Sequence, residues 1–299
     1  MTRRFLALAH SSLLTAGIVL WPVYPAVAEE ENRPATGFAG EDFDSEHIFG
    51  FAEGSDIGPL GEREIESTNI ASFGTPSLPF NADTETAFRY VITPDLRLSV
   101  GMLTDYFQSP EGDVFNQRNF VTVSGATAEL RWNVLNWRTA PIGLTFSFNP
   151  EWRRNDPDFG EALQNVSMGF GLLIDKEVVP GKFFATLNLV YEPTLAWEQG
   201  HAAHEQSFSI LLSGSYAVSE DLLLGAELRH DNLYGANAFE EELTQRGSSS
   251  ALYFGPNVFV RITEDFAAKL AWALRVPPAS DPFEPEPRHQ VDLLLSYSF

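Results

Sequence analysis

The stretch Val291-Asp-Leu-Leu-Leu-Ser-Tyr-Ser-Phe299 decides the fold class of this chain. Val291, Leu293, Leu295, Tyr297 and Phe299 occupy its odd positions. Residues two apart point to the same face of a β-strand, so the stretch is predicted to form a strand with one apolar face. A buried strand of a soluble β-sandwich would show the same alternation, and the rest of the chain has to distinguish the two folds.

The apolar strand that ends on Phe299 resembles the C-terminal signal of bacterial outer-membrane β-barrels, which the barrel assembly machinery recognises. This resemblance implies that Tyr297 and Phe299 form the assembly signal. It also implies the barrel assembly machinery, outer-membrane lipid and lipopolysaccharide as partners, and the outer membrane as the location.

The N-terminus has the organisation of a secretory signal peptide. Arg3 and Arg4 precede a mostly apolar stretch over 5–20, and Ala26-Val-Ala28 follows it. A basic start, an apolar stretch and an A-x-A site are the parts of such a signal in their usual order. We expect cleavage near Ala28. The alternative is an N-terminal membrane anchor, but the apolar stretch is short and interrupted for a span.

Residues 29–61 are predicted to be an acidic periplasmic lead-in that is mobile or loosely folded. Residues 29–66 hold twelve acidic side chains against two arginines, with frequent Gly and Pro and no strand-like alternation. The competing interpretation is a plug that folds into the lumen of a barrel. Within this segment, the stretch from His47 to Gly58 (HIFGFAEGSDIG) is similar to a segment that precedes the first strand of uncharacterised alphaproteobacterial outer-membrane proteins. That resemblance implies no activity.

Residues 62–299 are predicted to form an all-β, transmembrane, antiparallel up-and-down β-barrel of about twelve strands. Tight turns such as 93–95 and 219–221 alternate with longer polar connections such as 234–249. That alternation is typical of short periplasmic turns and longer outer loops. Ten or fourteen strands are the alternatives, because the first segment is weak and the 133–141 connection is long. The predicted strands are 62–73, 82–92, 96–107, 118–132, 142–153, 164–176, 183–197, 206–218, 222–233, 250–262, 266–276 and 289–299.

The composition excludes several functional classes. The net charge of −22 argues against nucleic acid as a partner, and the absence of cysteine excludes disulfides and thiol chemistry. The mature chain contains no P-loop, no dinucleotide-binding fingerprint and no G-x-S-x-G motif, so no cofactor is expected.

Charged residues of the predicted strands fall on the face opposite to the apolar one. A Lys or Arg near the bilayer midplane costs about 2–4 kcal/mol, so these side chains are assigned to the lumen. Opposed basic and acidic walls would produce a transverse field in a narrow pore, whereas mutual salt bridges would fill and rigidify a small barrel. The predicted pore-lining residues are the basic strip Arg229, Arg261, Lys269 and Arg275, the opposing acids Glu129, Glu151 and Glu192, and Arg131 and Arg153.

The sequence therefore predicts a barrel, not an enzyme, for passive, porin-like passage of small polar or charged solutes through a narrow lumen. The alternative is a closed structural or interaction barrel of the envelope. A less favoured third function is lipid modification, because outer-membrane lipid hydrolases place a His, with a Ser two residues later, near the outer rim on the lipid-facing side. His230 has that position, but Asn232 stands two residues later, so the nucleophile is missing from the pattern.

No metal site is expected from the sequence. His201 and His204 are predicted to lie in an outer loop, and two histidines three apart meet one metal only on a helical turn. The loop acids at 240–242 and at 156 and 158 lack the spacing of an EF-hand.

Overall fold

The structure is a computed structural model. It describes residues 44–74, 80–108, 120–155, 162–198, 201–235, 247–276 and 287–299. The predicted signal peptide, the first part of the predicted lead-in (29–43) and the loop acids at 156, 158 and 240–242 lie outside the described residues.

Twelve strands form a single closed barrel, so the predicted strand number is confirmed. Strand β1, the least distinct in the sequence, is present because its inward and outward residues still alternate near its start. The strands are β1 (Arg63–Phe73), β2 (Phe80–Thr93), β3 (Leu96–Gln108), β4 (Phe120–Leu135), β5 (Gly143–Asn155), β6 (Ala162–Val179), β7 (Phe183–Glu198), β8 (His201–Ala217), β9 (Leu222–Gly235), β10 (Gly247–Arg261), β11 (Phe266–Val276) and β12 (His289–Ser298).

Every strand pairs antiparallel with its sequence neighbours, and β1 pairs with β12 to close the cylinder. The register of this seam places Ile65 opposite Tyr297 and Phe73 opposite His289. The Phe299 N–H donates to the Arg63 carbonyl over 2.8 Å. The C-terminal strand thus completes the hydrogen-bond ladder, and the predicted all-β antiparallel barrel is confirmed.

Short connections lie at one end of the barrel. Gly181 has φ of 65° in the turn between β6 and β7, a left-handed conformation that glycine adopts without steric cost. Several strands continue further into their connections than predicted; for example, β4 reaches Leu135, and β8 begins at His201. His201 and His204 therefore belong to a strand, where no helical turn brings them together, and the expected loop position is wrong.

The outward face of the wall is apolar and the inward face is polar. Trp132, Trp152 and Trp197 are exposed on the outer surface near strand ends, where aromatic belts lie in transmembrane barrels. The inward-assigned charges are buried or half-buried, as the alternation predicts. None of the described residues forms a helix long and apolar enough to cross a membrane.

Candidate functional site: a plug in the lumen

Residues 44–58, called the plug below, lie inside the barrel near the short-turn end. Ile48 and Phe49 are completely buried, in an apolar cluster with side chains of the wall and of the β4–β5 connection. The expected mobile periplasmic lead-in is therefore wrong over 44–58, and the lumenal plug, the competing interpretation, is what the structure shows. The physical reason is that the acidic and apolar side chains of this segment find partners inside the wall. The cluster partners are Trp137, Phe184, Leu211, Leu223 and Phe259.

The carboxylate of Glu46 is held by three arginines from three neighbouring strands. Arg89 Nη1 donates over 3.0 Å, Arg97 Nη2 over 2.6 Å and Arg131 Nη1 over 2.5 Å. All four side chains are at least nine-tenths buried. Burial alone would raise the pKa of Glu46, but the guanidinium groups of Arg131, Arg97 and Arg89 hold this pKa well below its usual range. We call these three arginines the arginine cage.

His47 joins the plug to β1. Its Nε2 lies 2.8 Å from Glu66 Oε2 and 3.4 Å from Glu64 Oε1, and its Nδ1 lies 3.4 Å from Asp44 Oδ2. Burial lowers the pKa of His47, but the charges of Glu64 and Glu46 and the hydrogen bonds to Asp44 and Glu66 raise it well above its ordinary value. His47 is therefore a buried cation in the docked plug at neutral pH.

Asp175 on β6 binds the two ends of the plug together. Its carboxylate accepts hydrogen bonds from Ser45 Oγ (2.5 Å), Ser55 N (2.9 Å) and Ser55 Oγ (2.6 Å). On the same side, Asn133 Nδ2 and Thr145 Oγ1 donate to the Ser55 carbonyl over 2.7 and 2.5 Å. Backbone polar groups of an irregular segment are costly to bury without partners, and these contacts supply them.

Side chains of the opposite wall bind the polar backbone groups in the middle of the plug. Glu227 accepts from Ala52 N over 2.6 Å, and Ser215 Oγ donates to the Ile48 carbonyl over 2.6 Å. The guanidinium of Arg229 lies over the ring of Phe51, 4.5 Å from its centroid. With the contacts above, the plug touches side chains from β1 to β10 and so lies across the lumen.

Gly143 on β5 allows a close approach of the plug to the wall. A Cβ built at this position would lie 1.9 Å from Ser55 Oγ and 2.0 Å from Asp175 Oδ1. We expect Gly143→Leu to displace the plug from Asp175 without breaking the barrel, because the new side chain points inward and overpacking costs about 1–3 kcal/mol or more. Faster protease cleavage within 44–58 of the folded variant would show this. The matched control is Gly169→Leu on β6, whose added Cβ would contact Asn149 at 3.4 Å, an ordinary distance.

The structure places the predicted pore-lining residues on the inner side of the wall. Arg131, Arg229, Lys269 and Arg275 are buried there. The half-buried members are Arg153, Glu129, Glu151 and Glu192. Arg261 differs, because it lies at the short-turn end and pairs with Asp221 of the β8–β9 turn over 3.0 Å.

The charges do not separate into a free basic strip and a free acidic wall. Lys269 pairs with Asp292 at 3.0 Å and Arg229 with Asp231 at 2.9 Å. On the acidic side, Glu129 pairs with Arg131 at 2.8 Å, and Glu151 pairs with Arg153. These local pairs agree with the alternative in which mutual salt bridges fill the barrel, because the two opposite charges of each pair largely cancel each other's electric field.

Sequence reasoning missed Glu46 and His47, because alternation says nothing about a segment that is not a strand. The signal that could have found them is the combination of an acid-rich segment before β1 with inward arginines near the short-turn ends of β2, β3 and β4.

A family model covers most of this architecture. The model is described as a family of unknown function, DUF6662, and it matches residues 41–294. The chain belongs to the DUF6662 family. The matched range includes the residues of the plug as well as most of those of the barrel.

Among solved structures, this DUF6662 chain is similar in fold to three barrels. The β-domain of the Bordetella autotransporter Brka has a TM-score of 0.50 at 9% identity, covering 81% of this chain and 100% of that chain. The translocator domain of the autotransporter NalP from Neisseria meningitidis has a TM-score of 0.48 at 13% identity, covering 82% and 91%. The KdgM porin has a TM-score of 0.47 at 11% identity, covering 79% and 99%. These likenesses concern the fold alone. No curated protein matches the sequence.

Proposed function

We propose that this protein is an outer-membrane channel for small polar or charged solutes, and that the plug closes it. The observation that carries the proposal is a polar inner wall crossed by one short segment of the chain, which contacts side chains from β1 to β10. Charged and hydrogen-bonded contacts hold much of this segment, including Glu46 in the arginine cage and the serines on Asp175. Contacts of this kind can be exchanged for water when a segment leaves a lumen.

The size of the barrel supports a channel of this kind. Eight-stranded barrels are filled by their own side chains, whereas sixteen to eighteen strands leave a wide aqueous pore. Twelve strands lie between these limits and accommodate one chain segment in addition to the inward side chains. Removal of that segment would leave a narrow bore.

The lumen beyond the plug carries an excess of acidic groups, so we propose cations as the preferred solutes. On β2 and β7, Glu85 and Glu192 are half-buried and face inward, as does Asp83 beside Arg153 at 2.9 Å. The opposite wall offers little free positive charge, since Arg229 and Lys269 are paired with carboxylates.

The test is deletion of 44–58 and reconstitution in planar lipid bilayers. We expect the intact protein to be closed for most of the time and the deletion variant to conduct steadily, with a reversal potential that indicates cation preference. Deletion of 29–43 is the matched control, because it removes the same number of residues from the same side of β1 and leaves the plug. Heat-modifiable migration on electrophoresis verifies that each variant is folded.

The second candidate function is a permanently closed structural barrel. The apolar cluster around Ile48 and Phe49 favours it, because burial of these side chains stabilises the docked plug. A folded deletion variant without conductance would support this function and contradict the channel. A conducting deletion variant would contradict the structural function, because the lumen would then be open once the plug is absent.

A further inference from the structure

Three side chains on the outer surface form a serine–histidine–asparagine arrangement. His230 Nε2 lies 2.8 Å from Ser250 Oγ, and His230 Nδ1 lies 3.3 Å from the amide nitrogen Nδ2 of Asn232. The register of β9 and β10 places Ser250 directly opposite Asn232 and diagonal to His230. A hydroxyl within hydrogen-bond reach of an imidazole, which a third group orients, is the geometry of an activated nucleophile.

The arrangement faces the membrane and not the lumen. Ser250 has the same parity as exposed Leu252 and Phe254 on β10, and His230 has that of exposed Leu228 on β9. Asn232 is three residues from the end of β9 at Gly235, and Ser250 is three residues from the start of β10 at Gly247. The three side chains therefore lie near the long-loop end of the wall, where acyl chains and head groups of lipids meet.

The serine was absent from the sequence pattern because it comes from another strand. Along β9, Asn232 occupies the position two residues after His230, where the pattern needs a serine. Strand pairing supplies the hydroxyl from β10, twenty residues later in the chain. The pattern along β9 alone therefore does not exclude a serine hydroxyl beside His230.

The amide of Asn232 can orient the imidazole in the tautomer that catalysis needs. Rotation of the amide by half a turn about its Cβ–Cγ bond exchanges the positions of Oδ1 and Nδ2. The amide oxygen then accepts from His230 Nδ1–H, which leaves Nε2 free to accept the Ser250 hydroxyl proton. The rotation gives up the 3.4 Å hydrogen bond from Asn232 Nδ2 to the Phe208 carbonyl, which is at the long limit, and turns Oδ1 toward that carbonyl oxygen.

We propose that Ser250, His230 and Asn232 form an acyl-ester hydrolase site for membrane lipids. Ser250 Oγ attacks the ester carbonyl while His230 Nε2 takes its proton. The ester C–O bond then breaks, and the proton passes from His230 to the leaving lyso-lipid alcohol. Water next attacks the acyl-serine, again through His230, to release a fatty acid and restore Ser250. The net reaction converts an ester and water into a carboxylic acid and an alcohol.

The backbone beside Ser250 offers a group for the developing oxyanion. β10 pairs with β9 from Gly247 onward, but with β11 only from Leu252 onward. Consecutive residues of a strand direct their N–H groups to opposite sides, so either Ser250 or Ala251 directs its N–H away from β9. The described residues place no strand against that edge, and loss of one such oxyanion donor lowers kcat by about a hundredfold to a thousandfold in enzymes that use one.

The test uses the folded full-length mature protein in vesicles of phosphatidylethanolamine and phosphatidylglycerol. We expect release of free fatty acid together with lysophospholipid, and covalent labelling of Ser250 by a fluorophosphonate, located by mass spectrometry. Ser250→Ala and His230→Ala should each lower fatty-acid release by at least about a hundredfold, the usual contribution of a nucleophile or its base. His230→Ala should also abolish labelling of Ser250.

Two further variants separate chemistry from structure. Asn232→Leu should lower the rate of hydrolysis. Asn232→Asp should keep a rate close to that of the intact protein, because a carboxylate also accepts a hydrogen bond from His230 Nδ1–H. An amide with only a structural role would not give a higher rate for Asp than for Leu. Ser209→Ala is the matched control: Ser209 pairs with Asp231 at the same height but faces the lumen, so activity should be unchanged. Absence of fatty-acid release by the folded protein, or labelling of Ser250 that persists in His230→Ala, would overturn the proposal.

Discussion

Replacement of Glu46 by Gln is expected to open the barrel by releasing the plug. The substitution keeps the shape of the side chain but removes the negative charge that three buried guanidinium groups share. Removing one partner of a buried ion pair costs about 3–5 kcal/mol, because the remaining charge has lost its partner. Since about 1.4 kcal/mol is a factor of ten, the docking equilibrium should shift by roughly a hundredfold to a few thousandfold.

The measurement is single-channel recording of Glu46→Gln beside the intact protein, with cleavage of 44–58 by added protease as a second readout. Glu53→Gln is the matched control: its carboxylate is one-third exposed and contacts Arg131, which keeps Glu46 and Glu129 as partners. A partly exposed pair contributes about 0–1 kcal/mol, so this variant should change open time severalfold at most. Equal open times in the intact protein and Glu46→Gln would contradict the role of the arginine cage.

Alkaline pH is expected to increase channel opening through His47. The pKa of His47 is raised in the docked plug, so its contribution to docking is fully present below about pH 6.5 and is lost as the pH rises through the docked pKa. Loss of one proton per plug corresponds to up to about tenfold per pH unit. The groups that face this imidazole are Asp44 and Glu46 of the plug, Glu64 and Glu66 of β1, and Arg89 of β2.

Two carboxyl groups, Glu46 of the plug and Glu62 of the connection to β1, limit the pH range in which the effect of His47 can be measured alone. The pKa of Glu46 is held below its usual range, so its contribution to docking is lost only as the pH falls through that lowered value. Burial raises the pKa of Glu62 to about 7, so the stability from its neutral form is present below about pH 4.5 and is lost by about pH 7. Single-channel recordings between pH 7.5 and 9 therefore report the deprotonation of His47, because this range lies above the pKa of Glu62, about 7.

The control for this pH effect is His47→Gln, whose open probability should be nearly flat over the same range. Glu62→Gln should keep the rise above pH 7 and lose only the part below it. Channel opening that increases on acidification from pH 7 to about 5 would contradict this prediction, because protonation of His47 favours the docked plug.

The barrel was largely predictable because the side each residue faces follows from its immediate neighbours in the sequence. Alternation assigns each side chain to lipid or lumen, and a wrong assignment of a residue such as Arg131 or Lys269 would place a charge in hydrocarbon. Twelve strands, their order and the inward charges followed from this rule. Strand ends were less certain, as the early start of β8 at His201 shows, since polar residues near the rim fit a strand and a loop equally well.

The plug and the outer-surface arrangement could not be predicted in the same way. Glu46 meets residues 43 to 85 positions later in the chain, and the meeting depends on the closed cylinder. Ser250 meets His230 only when β9 and β10 pair in one register, and a shift by one residue would send it to the other face. Contacts between distant positions leave no periodic pattern in one sequence.

Only residues 59–62 connect the plug to β1. An undocked plug would therefore stay tethered at the mouth of the barrel, and a short tether of this kind gives an effective concentration in the millimolar range. Rebinding would be intramolecular and independent of protein dilution. Open periods would end spontaneously, and any factor that keeps the lumen open would have to compete continuously with a segment that never diffuses away.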